Sequence, residues 1–116
     1  MKTFLLTLLL ILVIDFVWLG LVAKNFYKRE IGFKRIKNWP VALIIYILLA
    51  IGITVFVNPK TFLMGALFGL IIYAVYDLTN FITLDSWSIK LVLVDILWGA
   101  LLCGSISYLI SKISLL

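Results

Sequence analysis

The sequence has no histidine and a single cysteine, Cys103. Without imidazole the common zinc, haem and di-iron constellations lose their usual ligands, and one thiol cannot close an internal disulfide. No metal site and no cofactor is expected. Charge is equally scarce: 13% of the residues are charged, with five acids against ten bases. In their place 66% of the chain is apolar, where a soluble domain carries about 45–50%, and the mean hydropathy is +1.28. These values exclude a water-soluble enzyme. They also exclude a nucleic-acid module, because the basic excess is not spread over a polar surface.

What is present is length in apolar runs. A transmembrane helix needs roughly 20 such residues to cross about 30 Å of hydrocarbon. Four runs fit within 116 residues, at about 3–23, 40–57, 61–84 and 88–111. The expectation is an all-α, polytopic integral membrane protein, with residues 1–116 as one four-transmembrane-helix bundle. The first run begins like a secretory signal, but Asp15 interrupts it and no small-residue cleavage site follows, so it reads as a retained helix. Pro40 suits a helical first turn, where its missing N–H has no partner to lose, and Asn58-Pro59 closes the second run. Asp85-Ser86-Trp87 supplies cap residues for the fourth.

The segment 24–39 carries Lys24, Lys28, Arg29, Lys34, Arg35 and Lys37 against one acid, Glu30. The positive-inside rule makes this loop cytoplasmic. Both termini then lie outside, with Lys2, Lys60 and Lys112, while Lys90 joins the inner set. Phe26, Tyr27, Ile31, Phe33, Ile36 and Trp39 are interleaved with these cations, a pattern for lying among headgroups. Each basic residue gains about 1 kcal/mol from anionic lipid. The plain role is a topology anchor; the sharper one is a platform for an anionic lipid or phosphorylated substrate.

Three of the five acids, Asp15, Asp77 and Asp95, fall inside apolar runs. A carboxylate at mid-helix costs about 2.5–3.5 kcal/mol even on the lenient insertion scale. With the topology above, all three sit roughly 10 Å from the cytoplasmic helix ends at 1.5 Å per residue, close enough in depth to share one pocket. On the third helix Gly65, Gly69, Tyr73, Tyr76 and Asn80 share an arc with Asp77 at its edge. On the fourth, Asp95, Gly99, Cys103 and Ser107 recur every fourth residue, a small-residue row that favours close helix packing. Ile14-Asp15-Phe16-Val17-Trp18 echoes Val94-Asp95-Ile96-Leu97-Trp98. Each indole stands three residues from its acid on the same face, placed to donate to a carboxylate or a ligand. The two helices run in opposite senses, as in inverted-repeat transporters, although equal depth for the two acids fits a strict inversion poorly.

The bland account of these polar groups is interhelical hydrogen-bonding among Asp77, Asn80, Thr79, Tyr73 and the two Asp–Trp pairs. Such bonds average about 0.6 kcal/mol in membranes, less than a buried carboxylate costs. Intramembrane ionisable groups mark functional sites by default. The transport or ligand-binding candidates are therefore Asp15, Trp18, Tyr73, Asp77, Thr79, Asn80, Asp95 and Trp98.

Four strings, Asp15-Phe16-Val17-Trp18-Leu19-Gly20, Asn38-Trp39-Pro40, Tyr76-Asp77-Leu78-Thr79-Asn80 and Val94-Asp95-Ile96-Leu97-Trp98-Gly99, resemble the signature of the bacterial membrane-protein family called domain of unknown function 2177. The likeness runs through nearly the whole chain in the same order and spacing. The one departure, Phe81-Ile82-Thr83, changes bulk and not polarity. The resemblance implies a four-helix protein of the bacterial inner membrane and brings no activity with it.

Three functions compete. The first is a small proton- or cation-coupled transporter working as a homodimer or other homo-oligomer, since four short helices barely enclose a pathway. The second is a lipid-modifying enzyme in which Asp77 and Asp95 divide acid and base roles while Asn80 and Trp98 orient the substrate. It lacks a nucleophile with an evident base. The third is a non-catalytic accessory subunit whose acids pair with bases on another membrane protein. Transport of a small molecule ranks first. The expected surroundings are the bilayer and its anionic lipids, with no nucleic acid.

Overall fold

The computed structural model describes residues 2–22, 25–26, 39–85 and 87–113. Among these residues there are four helices and no strands. Helix α1 spans Lys2–Val17 and continues through a π-helical stretch, Trp18–Val22. Helix α2 spans Trp39–Phe56, α3 Phe62–Thr83 and α4 Ile89–Ile113. Three stretches are long and apolar enough to cross a bilayer: Lys2–Leu21, Phe62–Thr83 and Ile89–Ile113. The apolar part of α2, Pro40–Phe56, is shorter, near the lower limit of about 17 residues for a span. The architecture is a helical membrane bundle.

The helix ends follow local chemistry. The Thr61 hydroxyl accepts from the Met64 N–H at 3.1 Å and caps α3. For α4 the cap falls on Ser88, whose Oγ accepts from the Leu91 N–H at 3.1 Å, one residue beyond the Asp85–Trp87 turn to which the sequence assigned it. At the far end of α2 the Lys60 ammonium donates to the carbonyls of Thr54 and Val57, at 3.0 and 3.1 Å. It thereby satisfies acceptors that the helix leaves open and complements its negative end.

Helices α3 and α4 pack against each other along their length, and α1 packs against both α2 and α4. The α3–α4 seam joins two rows of every-fourth-residue positions. Gly65 lies over Ser107 and the Cys103 carbonyl, Gly69 over Cys103 and the Gly99 carbonyl, and Gly99 under the Tyr73 side chain. Without Cβ atoms at these glycines, the two backbones approach closely and dispersion contacts accumulate. Toward the 57–61 turn, an apolar cluster of Ile11, Leu49, Ala50, Ile53, Val57, Leu102, Cys103, Ile106 and Ile110 fills the bundle. The three intramembrane-run acids, Asp15, Asp77 and Asp95, occupy the opposite half, where α1 and α3 end and α2 and α4 begin.

Candidate functional site

The α3–α4 seam ends in a pair of acids. One row runs Gly65, Gly69, Tyr73, Asp77 and the other Ser107, Cys103, Gly99, Asp95. In antiparallel register this brings the Asp77 and Asp95 carboxyls face to face within hydrogen-bonding reach. Asp77 is wholly buried. Its Oδ1 accepts from the Trp87 indole N–H at 3.2 Å. Its Oδ2 is buried and meets no donor among the described residues. Two carboxylates in contact repel unless a proton lies between them.

Asp15 is held differently. It is 7% exposed and takes two donors: the Trp98 indole N–H at 2.9 Å to Oδ1, and the Tyr46 hydroxyl to Oδ2. These come from α4 and α2, so one carboxylate ties three helices together. Two donors on one carboxyl offset part of the cost of an acid at this depth. Trp18 lies at the start of the π-helical stretch and stacks on Trp98, with ring centroids 4.3 Å apart and planes 6° from parallel. π-Helical turns are rare and recur at functional sites.

Asp15 and Asp95 both line a half-open cleft of about 590 Å³. Its remaining walls include Trp18, Trp98, Tyr46, Tyr73, Tyr76, Trp87, Phe56 and Phe68, with aliphatic residues between them. Tyr76 and Trp87 meet edge to face, centroids 6.1 Å apart. Across the cleft α2 and α3 meet where the Phe68 ring lies over Gly52.

Of the candidates from the sequence, Asp15, Trp18, Tyr73, Asp95 and Trp98 line the cleft, and Asp77 stands behind Asp95. Asn80 lies beside the Tyr76 hydroxyl. Thr79 stands apart: it is exposed, and its hydroxyl is bonded to the Val75 carbonyl at 2.6 Å. Lys24, Lys28, Arg29, Lys34, Arg35 and Lys37 lie outside the described residues. The Trp98 N–H goes to Asp15 on α1 and not to Asp95 on its own helix. The three acids form an Asp15 site and an Asp77–Asp95 site flanking one cleft. Among the described residues no group of three His, Cys, Asp or Glu side chains is placed to hold a metal ion.

Two residues of the site, Tyr46 and Trp87, were not among the candidates. Tyr46 is one of two hydroxyl-bearing residues in the otherwise apolar run Val41–Phe56, which is a signal of a kind. Trp87 sits in a turn beside cap residues and looks like an interfacial aromatic. Only the fold folds it back toward Asp77.

A bundle of apolar helices, three of them with stretches long and apolar enough to cross a bilayer, defines a helical membrane protein. Residues 1–111 of the 116-residue chain match the family described as predicted membrane protein, DUF2177, and the chain belongs to that family. No curated protein and no solved structure matches the chain.

Proposed function

We propose that this protein is a small transporter whose cargo moves in exchange with protons, and that the protons are exchanged at the Asp77–Asp95 pair. The observation that carries this reading is the position of Asp95. It faces Asp77 on one side and the ligand-sized cleft on the other. A proton that leaves the pair for the cleft leaves a charge behind, and a bound cargo changes the cost of that charge. Such reciprocal dependence is what coupling requires. The accessory-subunit reading is weakened at Asp15, which finds its donors within the chain. The enzyme reading is weakened by the burial of Cys103 and Ser107 in the α3–α4 seam, away from any substrate.

The half-open cleft supports a homodimer as the working form, and the basic segment 24–39 supports an orientation with that connection on the cytoplasmic, anionic-lipid side. The test is proton movement into proteoliposomes under an imposed pH gradient and membrane potential. The wild type is compared with Asp77→Asn, Asp95→Asn and Asp15→Asn. Loss of flux in the first two is the expected result. Wild-type flux in all three variants sinks the proposal.

A further inference from the structure

We infer that the cargo of this cleft is a lipophilic organic cation, one positive centre carried on an aromatic or alkyl body. The inference rests on the transport reading for the word cargo, and on the cleft itself for the chemistry.

The cleft's volume of about 590 Å³ lies within the range of roughly 300–1,000 Å³ typical of small-molecule sites. Its charged lining residues are Asp15 and Asp95, and no basic residue lines it among the described residues. An anion would therefore enter against two acids with nothing to pair it. A neutral apolar molecule would draw no electrostatic attraction from either acid.

Two features separate an organic cation from an inorganic one. Alkali and alkaline-earth ions need several oxygen ligands to replace their water, whereas these walls are mostly indole, phenol and aliphatic carbon. No three acids converge as a ligand set among the described residues. Aromatic faces attract a weakly hydrated cation instead, by about 2 kcal/mol or more when desolvated. The stacked Trp18–Trp98 pair presents such faces directly beside Asp15. Asp15 also keeps room for the ligand: an ionised carboxylate has about four lone-pair sites, and Tyr46 and Trp98 occupy two.

The test uses the full chain, purified in detergent, with tetraphenylphosphonium as the probe and tetraphenylborate as a control of the same shape and opposite charge. Each is titrated separately, with calorimetry and tryptophan quenching as readouts. Saturable tetraphenylphosphonium binding is expected, with tetraphenylborate at least about tenfold weaker. Asp15→Asn should weaken the phosphonium by about tenfold or more. Because Asp15 also holds the fold, a second variant leaves every acid in place. Ala42→Trp fills the cleft from α2 and should abolish binding. Equal binding of the two ions, or phosphonium binding unaffected by Ala42→Trp, overturns the inference and makes the cleft a plain apolar pocket. Proton flux is measured on the same preparations. Phosphonium binding without flux keeps the cation site and removes the transport reading. Flux with no preference for the cation removes this inference and leaves transport standing.

Discussion

The indole N–H of Trp98 donates to the carboxylate of Asp15, 83 residues earlier in the chain, at 2.9 Å. The acid on Trp98's own helix, Asp95, turns to Asp77 on α3 instead. The two Asp–Trp strings that look equivalent in the sequence thus do different work. One acid is clamped by donors and joins α1, α2 and α4. The other is half of a carboxyl pair that joins α3 and α4.

The clamp at Asp15 should be measurable as coupling. Tyr46→Phe removes one donor and is expected to cost about 1 kcal/mol in an unfolding titration in mixed micelles. Asp15→Asn should cost more, because both donors then face a neutral amide. A double-mutant cycle should give about 0.5–1.5 kcal/mol of interaction between the two positions. A coupling energy of zero would mean that the Tyr46 hydroxyl is not held by Asp15.

The α3–α4 seam predicts which glycines tolerate a methyl group. A Cβ on Gly69 would meet Cys103 Cβ at 2.8 Å and collide with the Gly99 carbonyl, and one on Gly99 would run into the Tyr73 side chain. Gly69→Ala and Gly99→Ala should each destabilise by about 1–3 kcal/mol, the usual cost of overpacking. Gly20→Ala meets nothing within 4 Å and should stay within about 0.5 kcal/mol of wild type. The same unfolding titration decides between these outcomes, and equal effects at all three would contradict the close seam.

Asp77→Asn separates structure from proton exchange. The amide oxygen can still accept from Trp87, and the amide N–H can donate to Asp95 in place of the shared proton. Stability should change by less than about 1 kcal/mol while proton flux falls about tenfold or more. Asp77→Leu leaves the Trp87 N–H and the Asp95 carboxyl without their partner and should cost about 2–3 kcal/mol. If Asp77→Asn were as unstable as Asp77→Leu, the pair would not be bridged by a proton.

Lys60→Met tests the end of α2. Loss of the ammonium leaves the Thr54 and Val57 carbonyls without their Lys60 donor. About 0.5–1 kcal/mol should be lost, with faster amide hydrogen exchange confined to the last turn of α2. Faster exchange spread over all four helices would point to a larger role for this lysine.

Composition and periodicity made the class of protein legible. Long apolar runs have one low-energy home, because the bilayer core offers no water to a backbone that is not hydrogen-bonded to itself. The runs end where capping residues and prolines allow, so the helices lie within a few residues of where the sequence puts them. The two packing faces were legible too, though not that they pair with each other. Gly65, Gly69, Gly99 and Ser107 sit at a four-residue spacing that favours close helix packing. Three acids inside apolar runs stood out as candidates through their cost alone.

Which acid meets which donor belongs to the tertiary structure. The sequence places Trp18 near Asp15 and Trp98 near Asp95, because neighbours on one helix are all that periodicity can see. The packing of α1 against both α2 and α4 decides that Trp98 reaches Asp15 and that Tyr46 joins it. The π-helical stretch at Trp18 sets the ring that stacks on Trp98, and the turn before α4 folds Trp87 back to Asp77. A hydrophobic period of 3.6 fixes only which face of a helix turns inward. It is blind to which helix stands opposite, and that choice made the cleft.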